Sequence, residues 1–118
     1  MQTQTVQLPS AALACEKYGD GDVDLVIEMG LGASMAEWRQ LAAKLAGRHT
    51  VLLYQRAGYG ASSTSTLERT PENIAEELHL LLQQVGHDRT VAFLAHSQGG
   101  LYAWNFAKMY PDLICRLV

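Results

Sequence analysis

The stretch Thr90-Val91-Ala92-Phe93-Leu94-Ala95-His96-Ser97-Gln98-Gly99-Gly100-Leu101 decides the fold. Its first half, Thr90 to Ala95, is a short apolar run with β-branched and aromatic content, the pattern of a strand buried on both faces. Its second half opens a helix that carries Leu101, Trp104, Ala107 and Lys108 and stops at Tyr110-Pro111, because proline removes a helical donor and clashes with the preceding turn. Between them, Ala95-His96-Ser97-Gln98-Gly99 is one small residue short of Gly-x-Ser-x-Gly. A strand that turns at once into a helix leaves no room for bulk beside the turn, and Ala95, Gly99 and Gly100 meet that need. The turn lifts the Ser97 hydroxyl above the sheet. The helix starting there aims backbone N–H groups and the positive end of its dipole at the same spot, with the Gln98 N–H as first donor. The competing reading is a serine that only caps a helix, since Ser-x-Gly arises easily by chance. The apolar strand before it and the apolar-faced helix after it favour the first reading.

Upstream, the same alternation repeats. Thr3 to Leu8 and Ala12 to Tyr18, split by Pro9-Ser10, read as an antiparallel hairpin closed by Gly19-Asp20-Gly21-Asp22. Val23, Leu25, Val26 and Ile27 form another buried strand. Ser34 with Glu37 three residues later is a capping-box pattern, and Met35, Trp38, Leu41, Ala42 and Leu45 follow at helical spacing until Gly47. His49 to Tyr54 is the next strand, followed by a Ser/Thr-rich loop through Thr66. Thr70-Pro71 then starts a helix whose apolar face is Ile74, Leu78, Leu81, Leu82 and Val85, ended by Gly86. Leu113 to Val118 opens a further apolar segment. Strand and helix in alternation predict a mostly parallel sheet flanked by helices on both faces, a three-layer αβα domain over 1–118.

Composition narrows the function classes. With 118 residues, 48% apolar and 18% charged, the chain is at most one globular domain with a core. A formal charge of -3 and nine scattered Lys and Arg offer no stripe for phosphates, so no nucleic-acid partner is expected. The start, Met1 to Thr5, lacks a signal-peptide pattern, and no run approaches the roughly 20 apolar residues of a membrane span, so no membrane partner is expected either. Cys15 and Cys115 make no Cys-x-x-Cys pair, which makes reduced thiols in a cytoplasmic protein the default.

A second turn bears on chemistry. Met29-Gly30-Leu31-Gly32 hands a buried strand to a capped helix through two glycines and presents backbone N–H groups. It fails as a dinucleotide fingerprint, because Met35 stands where a third glycine belongs and no acid ends the next strand at Tyr54; a Walker lysine is absent too. No cofactor and no metal are expected. The turn works as the source of a second oxyanion donor, Leu31 N–H facing Ser97, against the plainer reading of a tight turn. Glu28, at the end of a buried strand, should be hydrogen-bonded or shifted toward neutrality; it supports the loop, pairs with Arg56, or simply reaches solvent. Trp38, Trp104 and Tyr102 read as packing, and Arg56 and Tyr59 as loop scaffolding.

Together these stretches resemble the α/β-hydrolase superfamily over nearly the whole chain. The resemblance places Leu31 on the oxyanion position of a His-Gly-x-Gly-like loop, with Met29 instead of histidine. Gln55-Arg56-Ala57-Gly58-Tyr59-Gly60-Ala61-Ser62 is similar to Asp-Arg-x-Gly-x-Gly-x-Ser, changed only at its first residue. Ala95 replaces the first elbow glycine, as in some lipases of the superfamily, and serine at position 97 speaks against the dehalogenase and epoxide-hydrolase branches. The resemblance implies a serine hydrolase of acyl substrates, with Ser97 as nucleophile.

A serine hydroxyl needs a histidine to accept its proton and a carboxylate to orient that histidine. His49 and His87 precede strands whose far ends carry the site, and a six-residue strand rises roughly 20 Å, beyond hydrogen-bond reach. His79 lies off its helix's apolar stripe and is expected to face solvent, while His96 adjoins Ser97 in extended chain, where side chains diverge. In the superfamily acid and histidine follow later strands, so the chain reads as a fold truncated at the start of its sixth strand and unable to run a triad alone. The alternative is a non-catalytic half-domain whose unpaired sheet edge takes the missing C-terminal half or another copy as partner.

Overall fold

Six strands and three helices alternate in the computed structural model, which describes residues 1–118. They are β1 (Gln2–Gln7), β2 (Ala12–Tyr18), β3 (Val23–Glu28), α1 (Met35–Leu45), β4 (Val51–Tyr54), α2 (Pro71–Val85), β5 (His87–Ala95), α3 (Gln98–Met109) and β6 (Ile114–Leu117). The strands form one sheet in the order β1-β2-β4-β3-β5-β6. The expected hairpin is present: β1 pairs antiparallel with β2, and β2 antiparallel with β4. The rest is parallel, with β3 between β4 and β5, and β6 on the far edge beside β5.

Both faces of the central strands are buried, which is why they read as continuous apolar runs. Val26 and Leu52 point into one core with Phe93 and with Leu78, Leu81, Leu82 and Phe106 of α2 and α3. Their neighbours Ile27 and Leu53 point into the other, with Met35 and Ala42 of α1. Successive strand residues alternate between faces, so this parity puts α1 on one side of the sheet and α2 and α3 on the other. Each fully buried leucine in α2 contributes roughly 1.5–3 kcal/mol of burial. None of the helices is long and apolar enough to cross a membrane.

The helix starts follow their caps. Ser34 N–H donates to Glu37 Oε1 at 3.2 Å, and Thr70 Oγ1 accepts from Asn73 N–H at 3.1 Å ahead of Pro71. Two strand starts differ from expectation. β4 begins at Val51, not His49: the Thr50 N–H goes to the Asp24 carboxylate (3.0 Å) instead of a strand neighbour, although the Thr50 carbonyl already takes the Asp24 and Leu25 N–H groups of β3 (3.0 and 3.2 Å). β5 begins at His87, not Thr90: Gly86 ends α2 at φ 88° and its carbonyl already pairs with Val23 N–H at 3.0 Å.

The face of α3 is a larger correction. The stripe Leu101, Trp104, Lys108 points outward, with Leu101 53% and Trp104 61% exposed, so Trp104 is not packed as expected. Tyr102, Ala103 and Phe106 are buried instead. These positions lie three, four and seven residues after Gly99, which is pressed against the β3 backbone and sets the rotation of the helix.

Candidate active site

Ser97 lies where β5 has ended and α3 begins, at φ 55° and ψ -125°, and is the only non-glycine residue of the chain with positive φ. This conformation costs an L-residue of order 1–3 kcal/mol and needs a surrounding structure that enforces it. That structure is visible. His96 N–H donates to Glu28 O (3.1 Å), continuing the β3 ladder, and Gly99 and Gly100 N–H close turns onto His96 O and Ser97 O, each at 2.9 Å. The chain must therefore leave the strand and enter the helix within two residues. Ser97 is exposed, and Gln98, as first residue of α3, has no intrahelical acceptor for its N–H. The Gln98 side chain donates to Tyr102 Oη at 3.1 Å.

The turn after β3 abuts this elbow. A Cβ on Gly30 would stand 3.3 Å from Ser97 Cβ and 3.1 Å from His96 Nδ1, so glycine is what lets the two loops meet. Gly32 adopts φ 73°, and Ala33 N–H closes the turn onto Gly30 O at 3.3 Å. Leu31 is 65% exposed, and its N–H has no acceptor within the chain. A cavity of about 230 Å³ joins the two loops, with Leu31, Trp38, His96 and Ser97 in its wall.

Beneath the turn, Glu28 and Arg56 are both buried and paired at 2.7 Å. Of the three expectations for Glu28, pairing holds and solvent access does not. The same guanidinium nitrogen reaches Met29 O (2.6 Å), and the other reaches Gly30 O (3.1 Å). Tyr54 Oη donates to the second Glu28 oxygen at 2.7 Å. Burial pushes the Glu28 carboxyl up, with Arg56 and Tyr54 pulling it back, and burial with the nearby Glu28 charge pushes the Tyr54 phenol well up. The guanidinium faces the Tyr102 ring at 4.6 Å and the Tyr59 ring at 5.4 Å.

No histidine hydrogen-bonds Ser97. His49 stands by Asp24 (3.4 Å), at the start of β3, and His87 opens β5, both at the end of the sheet away from the elbow. His79 does not face solvent freely: its ring stacks on Tyr110 at 4.2 Å, and burial lowers its pKa. His96 is exposed and shares the cavity with Ser97 instead of diverging from it, its ring 5.6 Å from that of Trp38. Two further residues support the site. Gln55 reaches Met35 N–H and Ala33 O at 3.4 Å each, tying the start of α1 to the end of β4. Buried Glu77 collects Ser10, Ser65 and Arg69 (2.6, 2.7 and 2.7 Å), which pins the loop between β4 and α2; its place inside the Ile74–Leu81 stripe was a readable sign.

The sequence profile of the family described as "alpha/beta hydrolase fold" matches residues 25–118. Among curated proteins, the chain is 35% identical over 91 residues to one named carbamate hydrolase RutD from Pseudomonas savastanoi pv. phaseolicola, covering 76% of this chain and 35% of that protein. It is 28% identical over 97 residues to the (lyso)-N-acylphosphatidylethanolamine lipase of Mus musculus, covering 80% of this chain and 28% of the lipase. The chain thus spans about a third of the length of these relatives. Among solved structures, a Vigna radiata epoxide hydrolase mutant superposes with a TM-score of 0.88 at 20% identity, covering 98% of this chain and 37% of that one. At that identity the likeness shows the fold alone. The strand order, the strained elbow and the profile match over four-fifths of the chain agree: this chain belongs to the alpha/beta hydrolase fold family.

Proposed function

We propose that the chain carries the nucleophile and the oxyanion-binding loops of a serine hydrolase acting on an ester, thioester or related acyl bond. The observation that carries this reading is Ser97, held at φ 55° on an exposed turn beside a cavity that it shares with Leu31, whose N–H has no acceptor within the chain. Ser97 Oγ attacks the acyl carbonyl while its proton passes to a histidine, and the carbonyl oxygen, now negative, accepts hydrogen bonds from Leu31 and Gln98 N–H. Collapse expels the leaving group and leaves an acyl-serine, which water then hydrolyses to the free acid. Each amide donor is worth roughly 10²–10³ in rate. The base and its carboxylate partner come from outside these 118 residues, since no histidine here hydrogen-bonds Ser97. Relatives named as a carbamate hydrolase and a lipase share the chemistry of attack at a carbonyl flanked by a heteroatom.

The test uses the chain itself with imidazole supplied as the missing base. A fluorophosphonate should label Ser97, located by peptide mapping, roughly tenfold faster than the loop serines Ser62, Ser63 and Ser65, with no adduct at this site in Ser97→Ala. Labelling no faster than at those loop serines overturns the reading. A second reading, a partner on the open edge, draws on β6: Arg116, Leu117 and Val118 are exposed, and Leu25, Leu45, Ala92, Leu94 and Val118 line an apolar groove of about 440 Å³ beside it.

A further inference from the structure

We infer that Arg56 is a positioning residue that aims the Leu31 amide at the reacting oxygen by gripping the opposite ends of two peptide groups. The inference rests on the reading of Ser97 and Leu31 given above. The carbonyl of Gly30 and the N–H of Leu31 belong to one planar trans peptide and therefore point in opposite directions. The Met29 carbonyl and the Gly30 N–H are related in the same way. Arg56 holds both carbonyls on the buried side, at 2.6 and 3.1 Å. Both N–H groups are thereby turned to the opposite side, where Gly30 packs against Ser97 and the cavity opens.

The turn needs such a grip. Leu31 sits between two glycines, one of them at φ 73°, so rotation at its neighbours leaves the adjoining peptide planes with little preference for one orientation. Besides Arg56, one bond closes the turn, Ala33 N–H onto Gly30 O at 3.3 Å, and Gln55 holds the Ala33 carbonyl just beyond it at 3.4 Å. Arg56 in turn cannot swing. Glu28 fixes one edge of it (2.7 Å), Tyr54 fixes Glu28, and the rings of Tyr102 and Tyr59 face its plane. The guanidinium is 6% exposed, so its charge acts on the two carbonyls with little water to screen it. A cation at a carbonyl oxygen draws electron density through the peptide and makes its N–H a better donor, so Arg56 both orients and strengthens the amide. Lysine has three donors but on a single nitrogen, so it cannot reproduce the planar fork in which one nitrogen takes Glu28 and Met29 O and the other takes Gly30 O.

The experiment compares the unaltered chain with Arg56→Lys and with Arg56→Met combined with Glu28→Gln, which avoids leaving a buried carboxylate unpaired. Backbone ¹⁵N relaxation and residual dipolar couplings report the mobility and direction of the Leu31 N–H. Imidazole-assisted fluorophosphonate labelling of Ser97 is followed in parallel. The expected Leu31 order parameter is about 0.85 in the unaltered chain and below about 0.6 in the double variant, with Arg56→Lys between them and the amides of β3 and β5 unchanged. Ser97 labelling falls by roughly 10²-fold in the double variant and recovers in part with lysine. A Leu31 N–H of unchanged direction and mobility in the double variant overturns the inference. If that variant does not fold, an unchanged Leu31 signal in Arg56→Lys overturns it equally. An unaltered chain that is never labelled, yet whose Leu31 amide still loosens without Arg56, sinks the serine-hydrolase reading and leaves the peptide grip standing.

Discussion

Gly99→Ala tests whether the elbow is held by close backbone contact. A Cβ at this position would stand 2.7 Å from Met29 O and deeper still into Glu28 O, where ordinary contact begins at 3.4 Å. The obstacle is β3 backbone, with both neighbours of β3 hydrogen-bonded to it, so no side-chain rotation relieves the clash. Helix α3 must instead lift from the sheet by on the order of 1 Å, a displacement that in a reacting site costs about 10²-fold in rate. Overpacking of this kind costs about 1–3 kcal/mol. With a urea slope of about 1–3 kcal/mol per molar, the unfolding midpoint should fall by roughly 1 M. Gly100 provides the control, since a Cβ there meets nothing within 4 Å. Gly100→Ala gains helix propensity and should stabilise by up to about 1 kcal/mol. Urea titration followed by tryptophan fluorescence reads both variants, with Trp38 beside the elbow as the informative probe. If the two alanines shift the midpoint equally, or Gly99→Ala does not lower it, then close approach of α3 to β3 is not what shapes the turn.

Two further outcomes follow from local chemistry. Ser97→Gly removes the strain of φ 55° and should stabilise the fold by roughly 1 kcal/mol after glycine's own entropic cost, visible as a higher Tm, whereas Ser97→Ala keeps the Cβ and gains nothing; a neutral or destabilising glycine removes the strain argument. Glu16 on β2 accepts two short bonds from Arg39 of α1 (2.9 and 2.6 Å), and these hold its carboxyl below the ordinary 4.5 against the opposing effect of burial, with Tyr18 assisting. A depressed carboxyl binds fewer protons folded than unfolded, so its stability is present above pH 4.5 and lost as pH falls through the depressed value. In Arg39→Met burial dominates, the carboxyl rises, and that acid-side loss disappears; urea unfolding across the acid range that still shows it contradicts the assignment.

The parts of the fold legible in the sequence are those whose signals are local. The buried strands announce themselves by continuous apolar runs, the helices by Ser34, Thr70 and their periodic faces, and the elbow by small residues packed around one serine. Glu28 stood out as an acid ending an apolar run, and its partner Arg56 was identifiable from the loop motif. The three-way grip of Arg56 was not, because it joins β3, β4 and α3 across long sequence separations. The contacts of Gln55, the changed first position of that motif, were hidden for the same reason, its partners lying some twenty residues upstream at the start of α1.

The buried face of α3 shows where local patterning stops deciding. Leu101 and Trp104 form an apolar stripe at helical spacing, and Tyr102, Ala103 and Phe106 form another, so periodicity alone ranks them equally. What separates them is the residue at the head of the helix. Only a glycine can lie against the Glu28 and Met29 carbonyls, and once Gly99 occupies that contact the positions three, four and seven residues later must face the sheet. Gly100 has no neighbour to meet and carries no such information. The constraint that brings the Ser97 turn close to the Met29–Gly32 turn is therefore the same one that turns Phe106 inward and Trp104 outward. Geometry at the site and packing along the helix cannot be altered independently at this position.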